Sequence, residues 1–135
     1  MSEPHFPDSN QCESLFNDVC GIINDTRNKL AVYINTSVCL TRWKVGIRIK
    51  EDILSDSRAE YGKKIIKQLS ALLTKEYGTG WGFQTLQHCV RAAYTFSEDE
   101  IMYATRMQLT WTHLRSLMCV KDSLARQFYM EMCAV

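Results

Sequence analysis

His113 lies in the run Thr110-Trp111-Thr112-His113, at the start of a candidate helix. An imidazole there could serve acid–base chemistry near neutral pH. No acidic or nucleophilic residue stands near it in the sequence, so packing or capping is the favoured role. His88-Cys89 is the one adjacent His/Cys pair. Successive side chains on a helix diverge by about 100°, which makes such a pair poor at chelation. The carboxylates of Glu51-Asp52 and Glu98-Asp99-Glu100 fall at candidate helix ends, where solvated partners of the helix dipole explain them best. The chain has no phosphate-binding glycine loop, no His-Glu-x-x-His and no Gly-x-Ser-x-Gly. Its six cysteines, at 12, 20, 39, 89, 119 and 133, form no Cys-x-x-Cys pair. Scattered thiols among apolar neighbours read as reduced, buried small hydrophobes in a cytoplasmic protein. No catalytic residue, metal ligand or cofactor is expected.

Binding chemistry is better represented. Formal charge is +1 overall, but it divides into −3 over residues 1–41, +5 over 42–91 and −1 over 92–135. Within the basic block, Lys63, Lys64, Lys67 and Lys75 recur on one side of a candidate helix. Gln84, Gln87, His88, Arg91 and Thr95 form a polar row on the next. Lysines attract phosphates without regard to sequence. Gln and Arg on a helix in a major groove can pair with adenine and guanine. The expected contacts are therefore Lys63, Lys64 and Lys67 to phosphates, with Gln84, Gln87, His88 and Arg91 facing the groove. Solvation alone also explains such a face, because Lys and Gln are good exposed helix formers.

Helical periodicity places these residues. Leu15, Val19, Ile22, Leu30, Tyr33 and Ile34 recur at helical steps, and the pattern runs on through Trp43, Ile47 and Ile49. A long helix over about 9–53 is expected, opened near Asp8 and bent or broken in its middle. Ser57-Arg58-Ala59-Glu60 is a capping box, and the helix after it ends at Gly78 in a left-handed cap. Gly78, Gly80 and Gly82 make the next turn. Further helices are expected over about 83–96, 98–106, 111–119 and 122 to the end. Gly80 to Phe83, or Thr105 to Leu109, could pair locally as strand. Together these elements form an all-α fold, a multi-helix single domain with a helix-turn-helix-like core and a long N-terminal helix.

A chain of 135 residues with 46% hydrophobic and 23% charged side chains suits one ordinary globular domain. The longest apolar run is about five residues, Leu30 to Ile34, whereas a membrane span needs roughly 20. Neither a membrane nor a small-molecule substrate is an expected partner, and the N-terminus carries no signal-peptide pattern.

Several blocks share a collinear pattern. They are Asn35 with Trp43-x-Val45-Gly46-x-x-Ile49, Arg58-Ala59-Glu60-Tyr61-Gly62-Lys63-Lys64, Leu69-Ser70 and Glu76-Tyr77-Gly78-x-Gly80. Two more are Gln108-Leu109-Thr110-Trp111-Thr112-His113 and Lys121-Asp122-x-Leu124-x-Arg126-x-Phe128-Tyr129-x-Glu131-Met132-Cys133. Over about residues 12 to 135 they resemble the N-terminal domain of YhcG-like proteins, the N-terminal part of domain of unknown function 1016. The resemblance implies a helical domain preceding a PD-(D/E)XK nuclease, hence a DNA-directed, non-catalytic module, with homodimerisation to position the nuclease as the alternative. The nuclease domain is absent from this chain, because its acidic and Glu-x-Lys residues must sit on paired strands. The expected layout is a flexible N-terminus over 1–10 and the helical domain over 11–135, as a fragment, a separate domain or a truncated product. Gly80-Trp81-Gly82 departs from the family's Gly-Phe-Ser turn, which leaves a weaker cap on the following helix. Met107 departs too, standing where a basic residue is expected.

Overall fold

Proline is confined to Pro4 and Pro7, so no helix beyond them meets a residue that lacks an amide donor. The computed structural model describes residues 9–54 and 59–134, and these form six α-helices with no strand among them. They are α1 (Ser9–Leu54), α2 (Ala59–Tyr77), α3 (Phe83–Thr95), α4 (Glu98–Arg106), α5 (Trp111–Leu117) and α6 (Ser123–Ala134). The expected caps at Asp8 and Ser57, and most of the flexible lead over 1–10, lie outside the described residues.

Two expectations about α1 need correction. The expected break does not form, and the helix assignment runs on over 46 residues. Gly21 and Gly46 are its only glycines, and single glycines weaken a helix by about 1 kcal/mol without breaking it. The apolar pattern also does not run through in one phase. Leu30 to Cys39 is nine residues, about two and a half turns, so the period that is buried further on restarts. The chain divides into two compact units, Met1–Ile34 and Asn35–Val135. In the first, the described residues 9–34 contain none that is buried.

The second unit has two apolar clusters. One joins Ile49 of α1, Ile66 of α2, and Leu86 and Val90 of α3, with Trp81 and Phe83 packed against it. The other joins Cys39 of α1, Ala92 and Phe96 at the end of α3, Ile101 and Ala104 of α4, Leu109, Leu114 of α5 and Met130 of α6. Helix α3 supplies both clusters, so its position fixes that of the polar row it carries.

The family-like blocks turn out to build this unit. The side chain of Asn35 donates to the Leu109 carbonyl at 2.9 Å, and Trp43 Nε1 donates to the Phe96 carbonyl at 3.1 Å. Gly46 is buried against the Cys89–Val90 backbone. Thr110 and His113 form a reciprocal capping box. The Thr110 hydroxyl accepts from the His113 amide at 3.2 Å, and His113 Nδ1 accepts from the Thr110 amide at 3.0 Å. His113 is thus a capping residue, as its position suggests. Ser97 and Glu100 form the same device on α4. Arg126 of α6 donates to the Val120 carbonyl at 3.0 Å, and its Nε lies 4.0 Å from Glu100, an ion pair too long for a hydrogen bond.

Neither suggested strand forms. Thr79–Trp81 is a turn of 3-10 helix, held by Ser70, whose hydroxyl donates to the Trp81 carbonyl at 3.2 Å. The segment after Thr105 is a helix stop in the Schellman arrangement. Leu109 N–H donates to the Ala104 carbonyl, and Gln108 N–H donates to the Thr105 carbonyl. Gln108 takes φ 60° there. Gly78 has φ 94° and ψ −166°, a region open to glycine but distinct from the left-handed helical cap expected of it.

Candidate functional site

Helix α3 buries Leu86, Cys89, Val90, Ala92 and Ala93 and leaves one narrow face free. On that face Gln84, Gln87 and Arg91 are exposed, and His88 and Thr95 are half-buried. Tyr94, three residues beyond Arg91, extends the row and is exposed. Lys50 of α1 holds its ammonium 4.7 Å from the centre of the Tyr94 ring, a cation–π contact that adds a positive charge at the end of the row.

Lys63, Lys64 and Lys67 are all exposed on α2. Lys67 lies 5.9 Å from the Phe83 ring centre, which brings it to the N-terminal end of α3. Lys63 precedes it by four residues and shares its side of the helix, whereas Lys64 is turned about 100° from Lys63. Lys63 and Lys67 therefore neighbour the row more directly than Lys64 does. The α3 cap is as weak as the turn sequence suggests. Gly82 stands at the N-cap with no side-chain bond.

Two open clefts meet at His88 and Arg91. One, of about 500 Å³, is lined by Ile66 of α2 and by Gln87, His88, Val90, Arg91 and Tyr94 of α3. The other, of about 340 Å³, lies between α3 and α5 and adds Thr112, Arg115 and Ser116. Arg91 Nη2 donates to the Met118 carbonyl at 3.1 Å, which holds the guanidinium at this junction. Burial, reinforced by the charges of Arg115 and then Arg91, holds the His88 pKa below its ordinary value of 6.5. No residue lining either cleft carries a carboxylate.

Residues 18–135 match the family described as the DUF1016 N-terminal domain. The chain belongs to that family. No curated protein and no solved structure matches it. In this DUF1016 N-terminal domain the thiols vary in setting. Cys39 and Cys89 are buried, and Cys12, Cys119 and Cys133 are exposed. Burial pushes the Cys89 pKa up to about 11, against a small opposing pull from Arg42. Among the described residues no three His, Cys, Asp or Glu side chains are grouped to hold a metal ion. No helix among them is long and apolar enough to cross a membrane.

Sequence reasoning missed Tyr94, Lys50 and Arg115. Tyr94 was within reach, since it continues the spacing of Gln84, Gln87 and Arg91. Lys50 and Arg115 join the site only through the packing of α1 and α5 around α3.

Proposed function

We propose that this domain is a non-catalytic module that binds duplex DNA through the segment 58–96. The observation that carries this reading is the exposed row Gln84, Gln87 and Arg91 on an otherwise buried helix, with Lys63 and Lys67 beside it. Between Tyr61 and Ser97 the only carboxylate is Glu76, so phosphates approaching this face meet almost uncompensated positive charge. The lysines, with Lys64 further round, supply phosphate attraction, and the row with His88 faces the groove. In the proposed assembly a nuclease domain of the parent protein performs the chemistry.

Fluorescence anisotropy of a labelled duplex across a salt series tests this. The logarithm of the affinity should fall linearly with the logarithm of salt, by a slope of about 0.9 per neutralised phosphate. Lys63→Gln, Lys64→Gln and Lys67→Gln together should flatten that slope. No binding at low salt, or a slope untouched by the three changes, defeats the reading.

A second reading has its own observation. Leu15, Phe16, Val19, Ile22, Ile23, Leu30 and Tyr33 are all exposed on α1, Tyr33 at 71%. They take seven of the nine places in the heptad series 15/16/19, 22/23/26 and 29/30/33, with Thr26 and Lys29 in the other two, the pattern of a helix that packs against others. A second copy of the chain, presenting the same stripe, would cover them in a homodimer that positions the parent nuclease. Light scattering at high concentration decides it, and a strict monomer counts against it.

A further inference from the structure

The cleft between α3 and α5 shares His88 and Arg91 with the groove-facing row and adds a second wall from α5. Its wall holds two guanidinium groups, an imidazole and two hydroxyls, from Arg91, Arg115, His88, Thr112 and Ser116. Among the described residues, the side chains of His88 and Arg115 have no hydrogen-bond or ion-pair partner. Arg91 spends one of its five N–H donors on the Met118 carbonyl, which orients the fork and leaves the others free. A concave site with several cationic donors and no carboxylate matches a tetrahedral oxyanion, for which arginine forks have the right spacing.

We propose that the α3–α5 cleft is a binding site for a phosphate group, held by Arg91 and Arg115 with Thr112 and Ser116 donating from the side. The group is either a backbone phosphodiester or a free phosphate, and only the first source rests on the duplex reading. A bound phosphate would place negative charge beside His88, which now faces Arg91 and Tyr94 on its own helix, Arg115 and Cys119 across the cleft, and Lys50 beyond Tyr94. The imidazole would then take up a proton more readily.

Nuclear magnetic resonance of the His88 ring in the full chain tests this, titrated with inorganic phosphate and separately with a 16-base-pair duplex, against sodium chloride at equal ionic strength. Phosphate should shift the His88 resonances saturably and move its titration midpoint upward, and chloride should not. Arg115→Gln should abolish the shift. Arg115 is the right position to change because its side chain is exposed and holds nothing in the fold, whereas Arg91 ties α3 to Met118. A duplex that reproduces the phosphate effect identifies the backbone source. Phosphate acting alone identifies a free phosphate source and counts against the duplex reading. If neither probe moves His88, or Arg115→Gln leaves the shift in place, the site does not exist, even where the duplex binds through the lysines.

Discussion

Gly46 of α1 lies directly against the Cys89 carbonyl of α3, so close that a Cβ at position 46 would overlap the carbonyl oxygen and carbon and come within 3.1 Å of the Val90 amide nitrogen. The neighbour is backbone inside a helix, which cannot swing aside as a side chain would. Gly46→Ala should therefore destabilise the chain by about 1–3 kcal/mol or more. Gly21, in the same helix, has nothing within 4 Å of an added Cβ. Gly21→Ala should stabilise by about 0.5–1 kcal/mol through helix propensity. Chemical denaturation of the two variants checks the opposite signs. Equal behaviour would mean that α1 and α3 do not meet at Gly46.

Gln108 occupies the position that a Schellman stop usually gives to glycine. A Cβ in left-handed backbone costs roughly 1–2 kcal/mol, and glycine's extra freedom in the unfolded chain takes back about half of that. Gln108→Gly should raise stability by up to about 1 kcal/mol. Gly78→Ala, at φ 94°, should lower it by roughly 1–3 kcal/mol, since that region is nearly closed to other residues. Melting temperatures of the two variants, taken with the parent chain, test the assignment.

The helices were legible because their signals are local. Ser97-Glu98-Asp99-Glu100 and Thr110-Trp111-Thr112-His113 each carry a complete start signal within four residues, and both caps form where the spacing puts them. The polar row on α3 was legible for the same reason, as its residues are three and four apart. What escaped was longer in range. The phase change after Leu30 was hidden because Trp43 and Ile47 keep helical spacing among themselves whichever face is buried. The Thr105–Leu109 run looks extended in composition, yet its amides are claimed by the end of α4. Arg115 lies 24 residues from Arg91, and only the packing of α5 on α3 gives them a common cleft.

Cys89 should make stability fall at high pH. Its thiol pKa rises from an ordinary 9.0 to about 11 on folding because burial penalises the thiolate. A pKa raised by folding contributes stability that is complete below the unfolded value and lost as pH climbs through the folded one. Stability should thus decline between about pH 9 and pH 11, and Cys89→Ala should flatten this decline. At pH 8 the thiolate is also what alkylating reagents attack. Cys12, Cys119 and Cys133 should label in the native chain while Cys39 and Cys89 stay protected until denaturant is added, as mass spectrometry of the modified peptides would show.

Gly82 offers a gain without a packing change. Its backbone, φ −68° and ψ 170°, already has the extended shape of an N-cap residue, and an added Cβ would meet nothing within 4 Å. A serine there could accept from a free amide in the first turn of α3, as Ser97 does for α4 at 3.1 Å. Replacing a glycine cap by serine is worth a few tenths of a kcal/mol, so Gly82→Ser should raise the denaturation midpoint slightly with an unchanged denaturant slope. The amide that such a serine would bind is that of Thr85, three residues on as Glu100 is from Ser97, so the same substitution should also slow amide hydrogen exchange at Thr85. Exchange that stays as fast as in the parent chain would mean the hydroxyl does not cap α3.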